Sequence, residues 1–176
     1  MAAAPPKALL KTVRCIDAFG EWWGRAVAWV VIALVLGATY EVIVRYVFNA
    51  PTIWSYDLSY MLYGGHFMLG AGYALLKKAH IRTDVFYAKW SPRRQGWVDA
   101  MLYLFFFFPG MIFFFLASWD SALDSLRMWE VSDATPWRPI VWPLKMAVPV
   151  TALLVMIQGV SEFLKSLRAA SRGEWL

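Results

Sequence analysis

Residues 26–60 read AVAWVVIALVLGATYEVIVRYVFNAPTIWSYDLSY: a long apolar run, a short turn, and the opening of a second apolar run. A helix that crosses a bilayer needs roughly 20 mainly apolar residues, and the stretch 26–47 supplies them. Working outward, three further blocks share its character: 55–76 (SYDLSYMLYGGHFMLGAGYALL), 95–118 (QGWVDAMLYLFFFFPGMIFFFLAS) and 143–164 (PLKMAVPVTALLVMIQGVSEFL). The sequence therefore predicts an all-α membrane protein with four transmembrane helices. Composition agrees, since 60% of the 176 residues are hydrophobic and only 16% charged, against nearer a quarter charged in a soluble domain.

The net charge of +5 does not point to nucleic acid, because the basic residues are sorted by loop. Lys7, Lys11, Arg14 and Arg25 precede the first span; Lys77, Lys78, Arg82, Lys89, Arg93 and Arg94 lie between the second and third; Lys165, Arg168 and Arg172 follow the fourth. The opposite side holds only Arg45, Arg127, Arg138 and Lys145. Positive loops stay in the cytoplasm, so both termini are expected inside. Three segments follow: an N-terminal segment 1–25, the four-helix domain 26–164, and a cytoplasmic tail 165–176.

Residues 1–25 lack the uninterrupted apolar core of a cleavable signal. Leu9, Val13, Ile16, Gly20 and Trp23 share one helical face, with Lys7, Lys11, Arg14, Glu21 and Arg25 opposite. That pattern predicts an amphipathic interfacial helix with its basic side toward anionic membrane lipids; a frayed tail is the alternative. The loop KKAHIRTDVFYAKWSPRR interleaves Ile81, Val85 and Phe86 with Arg82 and Lys89 and predicts a short surface helix. Ser91-Pro92 then reads as the cap and first residue of the third span. The outer segment SDATPWRPIVWPLK reads as extended and held at the interface, with Trp54, Trp137, Trp142 and Lys145 as anchors.

Signatures of catalysis are missing. There is no phosphate-binding glycine loop, nucleophile elbow or metal-ligand cluster, and Cys15 is alone, so no internal disulfide or thiolate centre is expected. No cofactor is anticipated. His66 and His80 leave open a small haem or quinone subunit of a respiratory complex. An autonomous small transporter is the other alternative, although no internal repeat or broken midplane helix is visible. The ionisable residues Glu41, Arg45, Asp57, Asp99, Lys145 and Glu162 fall near span ends. Glu41 and Arg45 have the favourable i, i+4 order, and Asp57 opens the next helix, where the dipole favours a carboxylate. A structural ion cluster Glu41–Arg45–Asp57 is the expectation, with an anion site at Arg45 as the alternative. Gly64, Gly65 and Gly72 predict close helix packing or a partner surface. The run FFFFPGMIFFF predicts a lipid- or protein-facing surface bent at Pro109-Gly110.

RYVFNAPTIWSYDLSYML, GAGYALLKKAHIRTDVFY, SPRRQGWVD, PLKMAVPV and LLVMIQG, in this order, resemble the small membrane subunit (Q-type, DctQ-like) of TRAP transporters, the tripartite ATP-independent periplasmic systems. Tyr56 departs from the family, which commonly has a second carboxylate before Asp57. The resemblance, over roughly 25–165, implies a bacterial inner-membrane protein partnered by a large multi-span permease subunit that moves by an elevator motion. It also implies a periplasmic substrate-binding protein, sodium drive and a small organic anion as cargo. The small subunit then acts as scaffold, and Asp120, Asp124, Glu130, Asp133 and Arg138 become candidates for docking the binding protein.

Overall fold

The structure is a computed structural model, and it describes residues 7–79 and 87–175. Seven helices are described: α1 (Lys7–Ala28), α2 (Val30–Tyr46), α3 (Ser55–Leu69), α4 (Ala71–Leu76), α5 (Pro92–Leu102), α6 (Phe108–Arg127) and α7 (Trp142–Arg172). A π-helical turn, Tyr103–Phe107, joins α5 to α6. Among the described residues the β structure is one antiparallel bridge, Val131 to Ile140.

Three helical runs are long and apolar enough to cross a membrane: Lys7–Tyr46, Pro92–Arg127 and Trp142–Arg172. The remaining expected span, 55–76, is two helices meeting at Gly70. The helical path is loosened there but not lost, because the Gly70 N–H still donates to His66 O (3.1 Å) and Ala74 N–H to Gly70 O (3.0 Å).

α7 is the pillar. Its 31 residues rise roughly 46 Å at about 1.5 Å each, more than the ~30 Å of a hydrocarbon core. The other helices pack around it, and the residues it buries are mostly small: Ala147, Ala152, Gly159, Ser161, Ser166, Ala169 and Ala170. Large apolar groups point outward instead, including Trp29, Phe67, Phe106 and Phe113, each more than 70% exposed. Lipid tails are as apolar as these side chains, so close backbone approach, not burial of bulk, holds such helices together. Gly96 is the clearest case. A Cβ there would overlap the Ser166–Ala170 backbone.

Pro109 disturbs its helix one turn before the Pro109-Gly110 step at which a bend was expected. Proline donates no N–H, and its ring crowds the carbonyl four residues back, here Phe105. The chain relieves that crowding by widening to i→i−5 pairing, with Phe108 N–H donating to Tyr103 O.

The N-terminal segment is helical to Ala28, past the expected limit of 25. Its apolar face does not lie on lipid alone. Val13, Gly24 and Val27 are buried, the Trp23 indole N–H donates to Leu69 O (3.1 Å), and Glu21 pairs with Lys77 (2.6 Å). Lys7, Lys11, Arg14 and Arg25 face outward. The expected loop helix falls largely on residues 80–86, and with His80, Ile81, Arg82, Val85 and Phe86 it lies outside the described residues.

Candidate functional site

At one end of the bundle the turn 47–54 leads into α3, whose first turn is bonded to the connection 128–141, and there the structure parts the expected three-membered ion cluster. Glu41 Oε1 accepts from Arg45 Nε (2.9 Å) and Nη2. Its other oxygen accepts from the Thr52 backbone N–H (3.2 Å) and from the Thr52 hydroxyl. Glu41 therefore ties its own helix to the turn that follows. Asn49 makes that turn possible, since its φ of 52° is a left-handed conformation asparagine tolerates better than most residues.

Asp57 is bonded elsewhere. Only 2% exposed, it sits in the first turn of α3, where the helix dipole favours negative charge. Its oxygens accept from Ser132 Oγ (2.7 Å) and from the Thr135 hydroxyl. Ser132 Oγ in turn accepts from Ala134 N–H (3.2 Å), and Thr135 Oγ1 from Trp137 N–H (3.3 Å). A carboxylate on one helix thus organises a loop 75 residues away. The physical reason is capacity: a carboxylate accepts from several donors, and two hydroxyls on adjacent turns satisfy it without a cation.

The same loop is closed on itself by Ser132 N–H to Pro139 O (2.8 Å) and Val141 N–H to Glu130 O (2.9 Å). The stretch expected to be extended is therefore a compact hairpin. Lys145, expected as an interfacial anchor, donates to both oxygens of Glu130 at 2.7 and 2.6 Å. The Lys145 ammonium holds the Glu130 carboxyl below the usual glutamate range. Glu130 is consequently a clasp at the loop base. Asp133 and Arg138 pair at 2.8 Å and stay exposed at the loop tip. Asp124 reaches Arg127 at 3.5 Å, and Asp120 is exposed on the same helix.

The aromatic anchors divide similarly. Trp54 stacks on Tyr40 with ring centroids 5.8 Å apart, and Trp137 is exposed. The Trp142 indole N–H is buried and has no partner among the described residues, so that ring is not a wetted interfacial tip. The three glycines also differ. A Cβ added at Gly72 would meet the Leu154 backbone and one at Gly64 the Leu144 side chain, while one at Gly65 would meet nothing within 4 Å among the described residues. His66 meets Val27 O through Nδ1 (3.2 Å).

At the opposite end a polar network links α1 to α7. Asp17 Oδ1 accepts from Gln158 Nε2 (3.0 Å) and Ser161 Oγ (2.6 Å), while Oδ2 pairs with Lys165 (2.8 Å). Lys165 also donates to Glu162 (2.6 Å). Sequence reasoning missed Asp17 and Gln158. The available signal was that Asp17 continues the face of Val13, Gly20 and Gly24, with the two glycines four apart in GEWWG.

Across the spans the carboxylates are thus engaged within the chain: Glu41 with Arg45, Asp57 with hydroxyls, Glu162 with Lys165, and Asp99 with the Tyr87 hydroxyl (2.7 Å). The family described as tripartite ATP-independent periplasmic transporters, DctQ component, matches residues 34–169. No curated protein matches the chain. The family match begins inside α2, so α1 and its Asp17 precede it.

Proposed function

The chain belongs to the DctQ component family of tripartite ATP-independent periplasmic transporters, and from that premise we propose that it is the immobile scaffold of a sodium-driven importer of a small organic anion. Members of this family are transporter components, not enzymes, and work with a large permease and a substrate-binding protein. In this reading the chain crosses the inner membrane four times with both termini in the cytoplasm. It braces the large elevator-type subunit and offers its outer loop to the binding protein.

One observation supports the scaffold role above the others: the carboxylates in and beside the spans are committed to partners in the same chain. A sodium site needs several convergent oxygens free to take the ion, and transporters of known architecture build such sites at broken midplane helices. Glu41, Asp57, Asp99 and Glu162 instead fasten helices and loops to one another. The exposed charges Asp120, Asp124, Asp133 and Arg138 belong to the other half of the proposal. Rim charges chiefly set encounter rate and register between proteins.

Uptake into proteoliposomes, normalised to assembled complex and titrated with sodium and with binding protein, tests both halves. Amide substitutions at Glu41, Asp57, Asp99 or Glu162 are expected to alter the amount of complex and to leave its sodium dependence unchanged. Neutralising Asp120, Asp124, Asp133 and Arg138 is expected to slow uptake at limiting binding protein and to be overcome by excess. A shifted sodium dependence in any amide variant sinks the scaffold reading. Equal uptake by the loop variants at every binding-protein concentration sinks the docking reading.

A further inference from the structure

Where α5 begins, a groove of about 590 Å³ opens between Trp90, Arg93, Arg94, Trp97 and Val98 on one wall and Ala170 and Ser171 of α7 on the other. We propose that it is a binding site for the headgroup of an anionic phospholipid. The proposal is independent of the scaffold and docking readings and needs only that the chain is a membrane protein.

The groove follows from packing. Gly96 lets α5 touch the α7 backbone, and the small Ala170 and Ser171 then leave room one turn earlier. Trp90 is held in place by the turn before the helix. Its backbone N–H donates to Tyr87 O (3.1 Å), and that carbonyl also accepts from Gln95 Nε2 (3.0 Å). The Tyr87 hydroxyl is itself bonded to Asp99 (2.7 Å). The rim is therefore pre-ordered.

Charge decides the occupant. Arg93 and Arg94 are exposed neighbours in the first turn of α5, a turn with no acidic residue. Among the described residues neither has an ion pair or hydrogen bond, as is true also of Arg14 and Arg172, whereas Arg25, Arg45, Arg127, Arg138 and Arg168 each lie within reach of a carboxylate. Among the described residues no carboxylate lines the groove. Two adjacent guanidiniums with no counter-charge match a phosphate diester, which accepts forked N–H pairs. A zwitterionic headgroup would add an ammonium that only the indole faces could receive, beside two guanidiniums of like charge.

Shape decides that the phosphate belongs to a lipid. From the groove an exposed apolar strip runs along the span: Trp97, Val98, Met101, Leu102 and Phe105. An acyl chain leaving a phosphate at Arg93 and Arg94 has that strip to lie on. The two indoles at the rim suit the depth where apolar and wet surroundings meet, and basic pockets at span ends are where anionic headgroups bind.

The test uses the full chain in neutral detergent, with bound lipid counted by native mass spectrometry. The probes are dioleoylphosphatidylglycerol, dioleoylphosphatidylcholine and inorganic phosphate as competitor. One phosphatidylglycerol per chain is expected to be retained in preference to phosphatidylcholine, and millimolar phosphate should not displace it. Arg93→Gln/Arg94→Gln should weaken retention at least about tenfold, Arg93→Lys/Arg94→Lys should lose less, and Arg127→Gln/Arg138→Gln, of equal charge change at the far end of the bundle, should match the parent. Circular dichroism of each variant confirms that the helices are intact. No preference for phosphatidylglycerol, equal losses in the two glutamine pairs, or displacement by free phosphate would each overturn the proposal, the last by showing a soluble phosphate as the ligand.

Discussion

A carboxylate taken out of water needs donors for its lone pairs or a nearby counter-charge, and Glu41 and Asp57 meet that need differently. Glu41 has a guanidinium and a threonine; Asp57 has two hydroxyls and a helix N-terminus. Exchanging charges within the real pair, as Glu41→Arg/Arg45→Glu, should therefore recover part of the complex yield lost by Arg45→Ala, the remainder being the acceptor that Thr52 loses. Exchanging Arg45 with Asp57 should not, because it strands Ser132 and Thr135. Co-purification with the large subunit measures both. Removing the acceptor alone, in Asp57→Ala, orphans two hydroxyls at about 1–3 kcal/mol each. Its expected signature is faster hydrogen exchange across 130–141, with Asp57→Asn milder since the amide still accepts. Unchanged exchange in Asp57→Ala would mean the loop is held by its own backbone bonds.

At the scale of elements, the loop base carries a pH dependence. Glu130 titrates below the usual glutamate range because Lys145 sits on it. For an acid depressed in this way, the stabilising pair is fully present above the ordinary glutamate value of about 4.3. It is lost as pH falls through the lower folded value. Protection of the 130–141 amides should accordingly hold from neutral pH down to the ordinary glutamate value and fall below it. Lys145→Gln should flatten that profile. The helices make a second prediction. A side chain added at Gly96 or Gly72 would meet α7 backbone, whereas one at Gly65 would meet no neighbour among the described residues. Gly96→Leu should therefore lower the thermal stability of the isolated chain most, and Gly72→Leu less. Gly65→Leu should leave the chain intact while reducing co-purification with the large subunit. If Gly65→Leu assembles as well as the parent, that open face meets lipid only. Two helix ends also carry bulky residues in left-handed geometry, Lys78 and Trp129, at φ of 54° and 47°. Each closes its helix by an i→i+5 backbone bond, Ala79 N–H to Ala74 O and Glu130 N–H to Ser125 O.

Over the whole molecule, large apolar groups face out and small ones face in, the inverse of a water-soluble core. The described polar residues gather toward the two ends of the bundle, joined on one side by Asp57 and Glu130 and on the other by Asp17, Glu21 and Lys165. The basic asymmetry predicts that the second of these ends lies in the cytoplasm. In intact cells an impermeant maleimide should label Ala134→Cys, introduced after Cys15→Ser, and should miss Lys89→Cys and Arg172→Cys. The native Cys15 is exposed on α1 and should react only once the membrane is opened. Labelling of Lys89→Cys from outside overturns the orientation.

The sequence by itself determined the all-α membrane class and the transporter-component family, because these depend on local quantities. Apolar run length sets helix and membrane, and the order of motifs from RYVFNAPTIWSYDLSYML to LLVMIQG carries the kinship. It also identified Glu41 with Arg45, since residues four apart on a helix are neighbours whatever the fold. What only the tertiary structure decided were pairings between distant segments. Asp57 finds Ser132 and Thr135, Asp17 finds Gln158, Ser161 and Lys165, and Gly96 finds Ser166 to Ala170. Spacing along the chain cannot rank such partners. A carboxylate is satisfied equally well by a near guanidinium or by remote hydroxyls, and which it gets depends on how the helices pack.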